Sequence, residues 1–349
     1  MHPPTVSPVA GPAPPAAPWP VAAPEAVPDA AWRRELADAI RDPAELCRVL
    51  GLDAGRAATA TGFPLLVPRS FVARMRYGDP ADPLLRQVLP VAEERAAVAG
   101  FTADPVGEIA AVTAPGLVRK YAGRALLLLT GGCAVHCRYC FRREFPYAEQ
   151  GAAVGRVDAA LAALAADPTL TEVILSGGDP LLLDDGRLAE VVGRLGRIPH
   201  LRRLRIHTRL PIVLPSRVTD ALVGLLAASG LACVVVVHAN HPAELDDVVA
   251  AAVRRLAATP AVVLNQAVLL AGVNDTADVL RALSERLVEI GVVPYYLHLL
   301  DRVAGAAHFE VPEPVALGLV ASLRASLPGY AVPRLAREVP GEPAKVWLA

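Results

Sequence analysis

Lysine is almost missing from this chain. Of its 34 basic residues only Lys120 and Lys345 are lysine, so arginine serves nearly everywhere a surface cation is wanted. A formal net charge of −1 gives no basic field for nucleic acid or an anionic membrane, and neither is expected as a partner. No basic segment followed by an apolar stretch opens the chain, so residues 1–28 are not expected to be a secretory leader and a cytoplasmic, reducing setting is expected. The uncharged run 221–237 is broken by Ser229-Gly230 and reads better as a helix end, a turn and a buried strand than as a membrane span. No G-x-G-x-x-G follows the first predicted strand, which counts against a dinucleotide-binding open sheet. Five cysteines cannot all pair, which counts against a disulfide framework.

What is present is a triplet of thiols. Cys133, Cys137 and Cys140 stand at C-x3-C-x2-C spacing just past the apolar run 125–129. Three close thiolates can hold three irons of an iron-sulfur cluster and leave a fourth open to a substrate. Zinc is the alternative, with His136 the only nearby fourth ligand. Cys47 and Cys233 read as buried apolar residues. The two lysines pose a second question, since a primary amine can condense with an aldehyde and a guanidinium cannot. Chance retention of two lysines is the other reading.

The chain divides by pattern. Residues 1–28 hold ten of the 33 prolines in an Ala/Val background and read as a disordered tail. Residues 29–110 read as a mostly helical N-terminal region without a catalytic motif. From there to 328, apolar runs at 125–129, 173–175, 204–206, 233–237, 262–268 and 292–297 alternate with amphipathic stretches near 157–166, 187–196, 217–228, 243–258, 276–290 and 314–327. Six such units predict an α/β fold, a partial (β/α)6 barrel whose strands are buried on both faces, with a doubly wound sheet as competitor. Polar residues follow nearly every strand, where barrel enzymes build their sites. The end, 329–349, reads as irregular, yet carries Glu338 and Lys345.

The motifs GGCAVHCRYCFRREFPY, ILSGGDPLLL, IPHLRRLRIHTRLPIVLPSR, NQAVLLAGVND, PYYLHLLDRVAGAAHF and LAREVPGEPAK resemble the radical S-adenosylmethionine superfamily and, within it, the lysine 2,3-aminomutase family. The likeness runs from about residue 31 to the C-terminus and is greatest to the branch that makes β-lysine for elongation factor P. It implies an isomerase moving the amino group of L-lysine from C2 to C3, with a 4Fe-4S cluster, S-adenosylmethionine and pyridoxal 5'-phosphate. By position it implies Cys133, Cys137 and Cys140 on the cluster; Gly177, Gly178, Asp179, His238 and Gln266 around S-adenosylmethionine; and Lys345 carrying pyridoxal phosphate, with Lys120, Tyr121 and Arg124 about it. Arg142 matches the substrate-carboxylate arginine, suited to bidentate capture, and Asp301 with Glu338 the acidic pair for the distal ammonium. Glu338 stands where the free-lysine mutases have aspartate. A one-electron reductant such as flavodoxin or ferredoxin and a homo-oligomer are implied as well. Left open are another amino acid as substrate, free lysine for a secondary metabolite, a radical enzyme of another type such as a methyltransferase, and a non-catalytic electron carrier.

Overall fold

The computed structural model describes residues 29–56, 62–147 and 157–349; the tail expected over 1–28 lies outside them. Ten strands form one sheet in chain order: β1 (Val112–Ala114), β2 (Leu117–Val118), β3 (Arg124–Thr130), β4 (Glu172–Gly177), β5 (Arg203–Thr208), β6 (Ala232–Val237), β7 (Val262–Val268), β8 (Val293–His298), β9 (Arg334–Arg337) and β10 (Val346–Trp347). Every neighbouring pair from β3 to β9 is parallel, while β1, β2 and β10 pair antiparallel at the two margins. Strictly sequential order has no reversal point, which rules out the doubly wound competitor and leaves an open barrel.

Helices cross between the parallel strands where the apolar periodicity places them: Val157–Ala166, Asp185–Leu195, Asp220–Ala228, Asp247–Ala257, Ala277–Glu289 and Glu313–Ser326. Four of them start at a side-chain cap, Asp184, Thr219, Asp246 or Thr276, each accepting a backbone N–H of the first turn. The run 221–237 resolves into the Asp220–Ala228 helix, a turn with Gly230 at φ +69° and β6.

Two expectations are corrected. The end of the chain is not irregular: Arg334–Arg337 adds a seventh parallel strand beside β8, and Val346–Trp347 folds back on it. Four residues alone carry too little pattern to announce a strand; β8 supplies the partner. Nor are all the strands buried on both faces: β4 is buried at every position, but others are not. Along β5 and β7 burial alternates, with Leu204, Ile206, Val263 and Ala267 under the helices and Arg205, His207, Gln266 and Val268 facing inward. Their inner face lines a cavity instead of a core.

The N-terminal region consists of short helices, Asp29–Ala37, Pro43–Val49, Arg69–Val72 and Pro83–Arg86, joined by turns. Its Trp32, Ile40, Phe71 and Leu84 belong to the same apolar cluster as Leu127, Val173 and Ile206 of the barrel.

Candidate active site

A cavity of about 630 Å³ fills the open barrel. It takes in all three thiols at one end and Lys345 with Glu338 and Asp301 at the other. Residues 133 and 345 are far apart in sequence, and parallel pairing from β3 to β9 is what places both against the same lumen.

The cysteine loop leaves β3 and is bolted to the N-terminal region. His136 N–H donates to Leu66 O at 2.9 Å, and its Nδ1 donates to Pro64 O at 2.8 Å. That commits Nδ1 of His136 to a backbone carbonyl and leaves Nε2 as its only possible ligand atom. Arg138 donates through its backbone to Gln87 O at 2.9 Å and through Nε to Glu94 at 2.7 Å; Arg143 reaches the same carboxylate at 2.9 Å. The helical region that carries no motif therefore shapes the loop that does. Burial, followed by repulsion from the other thiols, pushes Cys133 well above the ordinary thiol range and Cys140 up to about 11. Bare thiolates are disfavoured there, and a bound cation would reverse the balance. Among the described residues no three His, Cys, Asp or Glu groups converge on a point that could hold one metal ion. A cluster needs no such convergence, because each cysteine meets a different iron.

Gly177 and Gly178 serve packing. Gly177 sits at φ +124°, a Cβ on it would stand 2.2 Å from Thr130 O, and one on Gly178 would stand 2.0 Å from Gly132 O. Their close backbone approach is to the end of β3 and the start of the cysteine loop, sealed by Gly178 N–H to Thr130 O at 2.7 Å. Asp179 is likewise committed. Its carboxylate accepts from Thr208 Oγ1 at 2.8 Å and from the backbone N–H groups of Leu181 at 3.0 Å and Arg209 at 2.7 Å, tying the loops after β4 and β5 together. Burial lifts it to about 6 in spite of these bonds.

Arg142 departs from expectation. Its Nε and Nη2 already grip Glu108 at 2.6 and 2.8 Å, and Nη1 reaches Ser176 Oγ and Gly177 O. The fork expected to take a carboxylate two-handed is occupied, and one Nη2 hydrogen remains.

At the other end, Glu338 accepts one lysine on each oxygen, Lys120 on Oε1 and Lys345 on Oε2. Burial favours its protonation, but the two ammonium groups outweigh it and hold Glu338 at about 2. Among the described residues no lysine bonds Asp301, and burial followed by Glu338 lifts it to about 7 against the pull of Lys345 and Lys120. The chain's only two lysines thus meet on one carboxylate. Lys120 also donates to Val106 O at 2.8 Å, and Arg124 stacks on the Tyr121 ring at 4.8 Å. The Tyr121 hydroxyl is close enough to Glu338 to be held protonated, after burial, yet it makes no well-formed hydrogen bond.

His238 and Gln266 both face the cavity. His238 stacks on Tyr139, bonds its hydroxyl through Nε2 at 3.0 Å, and is driven down to about 3 by burial and then by Arg209. The buried Gln266 Nε2 and His207 Nε2 find no hydrogen-bond partner. Orphaned polar groups aimed into a lumen fit a polar ligand rich in acceptors, as S-adenosylmethionine is, and the Lys120/Arg124 end fits an anionic phosphate. Sequence reasoning missed His207, Tyr139, Glu108, Ser176 and Arg209. The polar ends of β4 and β5, noticed as strand ends, were the available signal; Glu108 and Tyr139 gave none.

A protein-family model described as "Radical SAM superfamily" matches residues 127–265. The L-lysine 2,3-aminomutase of Escherichia coli (strain K12) is 50% identical over 323 residues, 91% of this chain and 94% of that one. The chain belongs to the L-lysine 2,3-aminomutase family. Within the family, the L-lysine 2,3-aminomutase of Haemophilus influenzae is 45% identical over 91% of this chain and 95% of its own length, and that of Clostridium subterminale 33% over 89% and 76%. Membership in the radical SAM superfamily carries an iron-sulfur cluster and S-adenosylmethionine with it, and the aminomutases are isomerases. Among the described residues no helix is long and apolar enough to cross a membrane.

Proposed function

We propose that this chain converts L-lysine to β-lysine by 2,3-amino migration. The observation that carries the reading is a single cavity that holds three thiols at one end and a primary amine beside two carboxylates at the other. Cys133, Cys137 and Cys140 would hold a 4Fe-4S cluster, with Gln266, His238 and the Gly178 turn lining the same cavity, and Lys345 would hold pyridoxal phosphate with Lys120, Tyr121 and Arg124 around it. When bound, the cluster and S-adenosylmethionine supply one-electron chemistry for hydrogen abstraction, and pyridoxal phosphate supplies a conjugated system across which nitrogen migrates.

The protein's own part is placement and selection. Asp301 and Glu338 give an ammonium-binding end that rejects a substrate with an anionic side chain. Arg142, locked by Glu108 and Ser176, offers a substrate carboxylate one fixed N–H at its free Nη2 position rather than a two-handed grip. His207, His238 and His298 are held neutral by burial, so these three rings add no cation to the lumen. Asp179 fixes the spacing of the β4 and β5 loops against the cysteine loop.

The motif likeness extends the proposal to elongation factor P as destination of the product, to flavodoxin or ferredoxin as the electron donor, and to a homo-oligomeric, cytoplasmic enzyme. The decisive experiment is anaerobic reconstitution with iron, sulfide, pyridoxal phosphate, S-adenosylmethionine and a one-electron reductant. Lysine should then yield β-lysine by mass-resolved amino acid analysis. Cleavage of S-adenosylmethionine with no β-lysine from lysine would transfer the proposal to another amino acid.

A further inference from the structure

Arg209 begins the loop after β5 and is only 7% exposed. Its Nη1 donates to Cys137 Sγ at 2.6 Å and to Tyr139 Oη at 2.7 Å, while Nη2 donates to Gln87 Oε1 at 2.7 Å and Glu244 Oε2 at 3.1 Å. Each of these partners is itself pinned. Glu244 is fully buried, and its other oxygen accepts from Gln87 Nε2 at 3.0 Å and from Asn240 N–H at 2.9 Å. Gln87 Oε1 also accepts from Asn240 Nδ2 at 3.0 Å. The guanidinium is therefore held on the sulfur by elements from both the N-terminal region and the barrel. Among the described residues Cys137 is the one thiol of the triplet that accepts from a charged side chain. None of this machinery is needed to bind lysine or to hold Lys345.

We infer that Arg209 sets the reduction potential of the cluster by donating an N–H to the Cys137 sulfur, with Gln87 and Glu244 fixing the donor in place. The inference rests on the reading of Cys137 as a cluster ligand. Adding one electron from the external donor to the cluster places extra negative charge on the irons and their sulfur ligands. A charge-assisted N–H on one of those sulfurs stabilises the reduced form more than the oxidised form. Arg209 thereby makes the cluster easier to reduce, the step that any one-electron cleavage must begin with. It is a positioning residue, since it touches a ligand atom and neither substrate nor pyridoxal phosphate.

The test compares wild type, Arg209→Lys and the paired Arg209→Gln/Glu244→Gln protein, each reconstituted anaerobically. Iron and sulfide per chain establish loading, circular dichroism establishes the fold, and a dithionite titration followed by electron paramagnetic resonance gives the midpoint potential. The paired variant leaves the net charge of the network unchanged, so a more negative midpoint in it reports the lost N–H to sulfur contact alone. Arg209→Lys keeps a cation but cannot span Cys137 and Glu244 together, and a smaller displacement in the same direction is expected. An unchanged midpoint in both loaded variants overturns the inference. So does failure of both to load with the fold intact, which would make Arg209 an assembly residue. Wild-type iron content in Cys137→Ala would instead remove the underlying ligand reading, a failure visible without any Arg209 variant.

Discussion

Replacing Asp301 by asparagine tests the acidic end of the cavity most directly. In the empty protein Asp301 titrates at about 7, raised by burial and by Glu338, whereas Glu338 titrates at about 2 and stays ionised at working pH. An incoming ammonium needs Asp301 ionised, because Glu338 already shares its charge with Lys120 and cannot supply a full counter-charge by itself. The sign follows. Below about pH 7 Asp301 carries a proton, and kcat/KM for lysine should fall roughly tenfold per pH unit, levelling off above. In Asp301→Asn that dependence should vanish. Leaving a desolvated ammonium without one partner costs about 3 to 5 kcal/mol, so kcat/KM at pH 8 should drop roughly 10²- to 10⁴-fold. Asp179, at about 6, is the other carboxyl that titrates nearby, but it is bonded into the loops at the thiol end and is present in both proteins. The assay is β-lysine formation from pH 6 to 8.5, with cleavage of S-adenosylmethionine as the control for cluster function. Equal kcat/KM and parallel pH profiles in the two proteins would remove Asp301 from substrate binding.

Lys345→Met should abolish borohydride-trappable pyridoxal phosphate and, by taking one cation off Glu338, let the cofactor-free protein bind lysine about tenfold more tightly than cofactor-free wild type. Calorimetry with lysine and norleucine checks it, and a matching gain for norleucine would show that charge is not the cause. Glu94→Gln strips the buried guanidinium groups of Arg138 and Arg143 of their anion and should destabilise by about 3 to 5 kcal/mol. Glu94 has a lowered pKa, since its hydrogen bonds and charge contacts with Arg138 and Arg143 outweigh burial. The difference in Tm between the two proteins should thus be full near pH 7 and shrink as pH falls through that lowered pKa; a difference independent of pH would contradict the ion-pair account. Gly178→Ala forces a Cβ against Gly132 O and should leave the protein insoluble or lower its Tm sharply, and an unchanged melting curve would refute the packing role.

Periodicity was enough to announce the helices and the first six parallel strands, because alternation of apolar runs with 3.6-residue patterns is a local property of the chain. The thiol triplet was legible for the same reason, its spacing being short, and so was the oddity of two lysines among 34 basic residues. Partnership was not. Arg334–Arg337 becomes a strand only because β8 offers it an edge, and the inward polar face of β5 and β7 exists only because the sheet curls around a lumen. Which donors are free is equally nonlocal: Arg142 is occupied because Glu108, 34 residues earlier, reaches it, and Asp179 is occupied by the loop after β5. Composition determined that a lysine here could be special and that three thiols would lie close together. Only the tertiary structure decided that Lys120 and Lys345 share Glu338, and that a guanidinium from the loop after β5 rests on one of the three sulfurs. Spacing of a few residues is set by covalent geometry, whereas ion pairs across hundreds of residues are set by which strands pair.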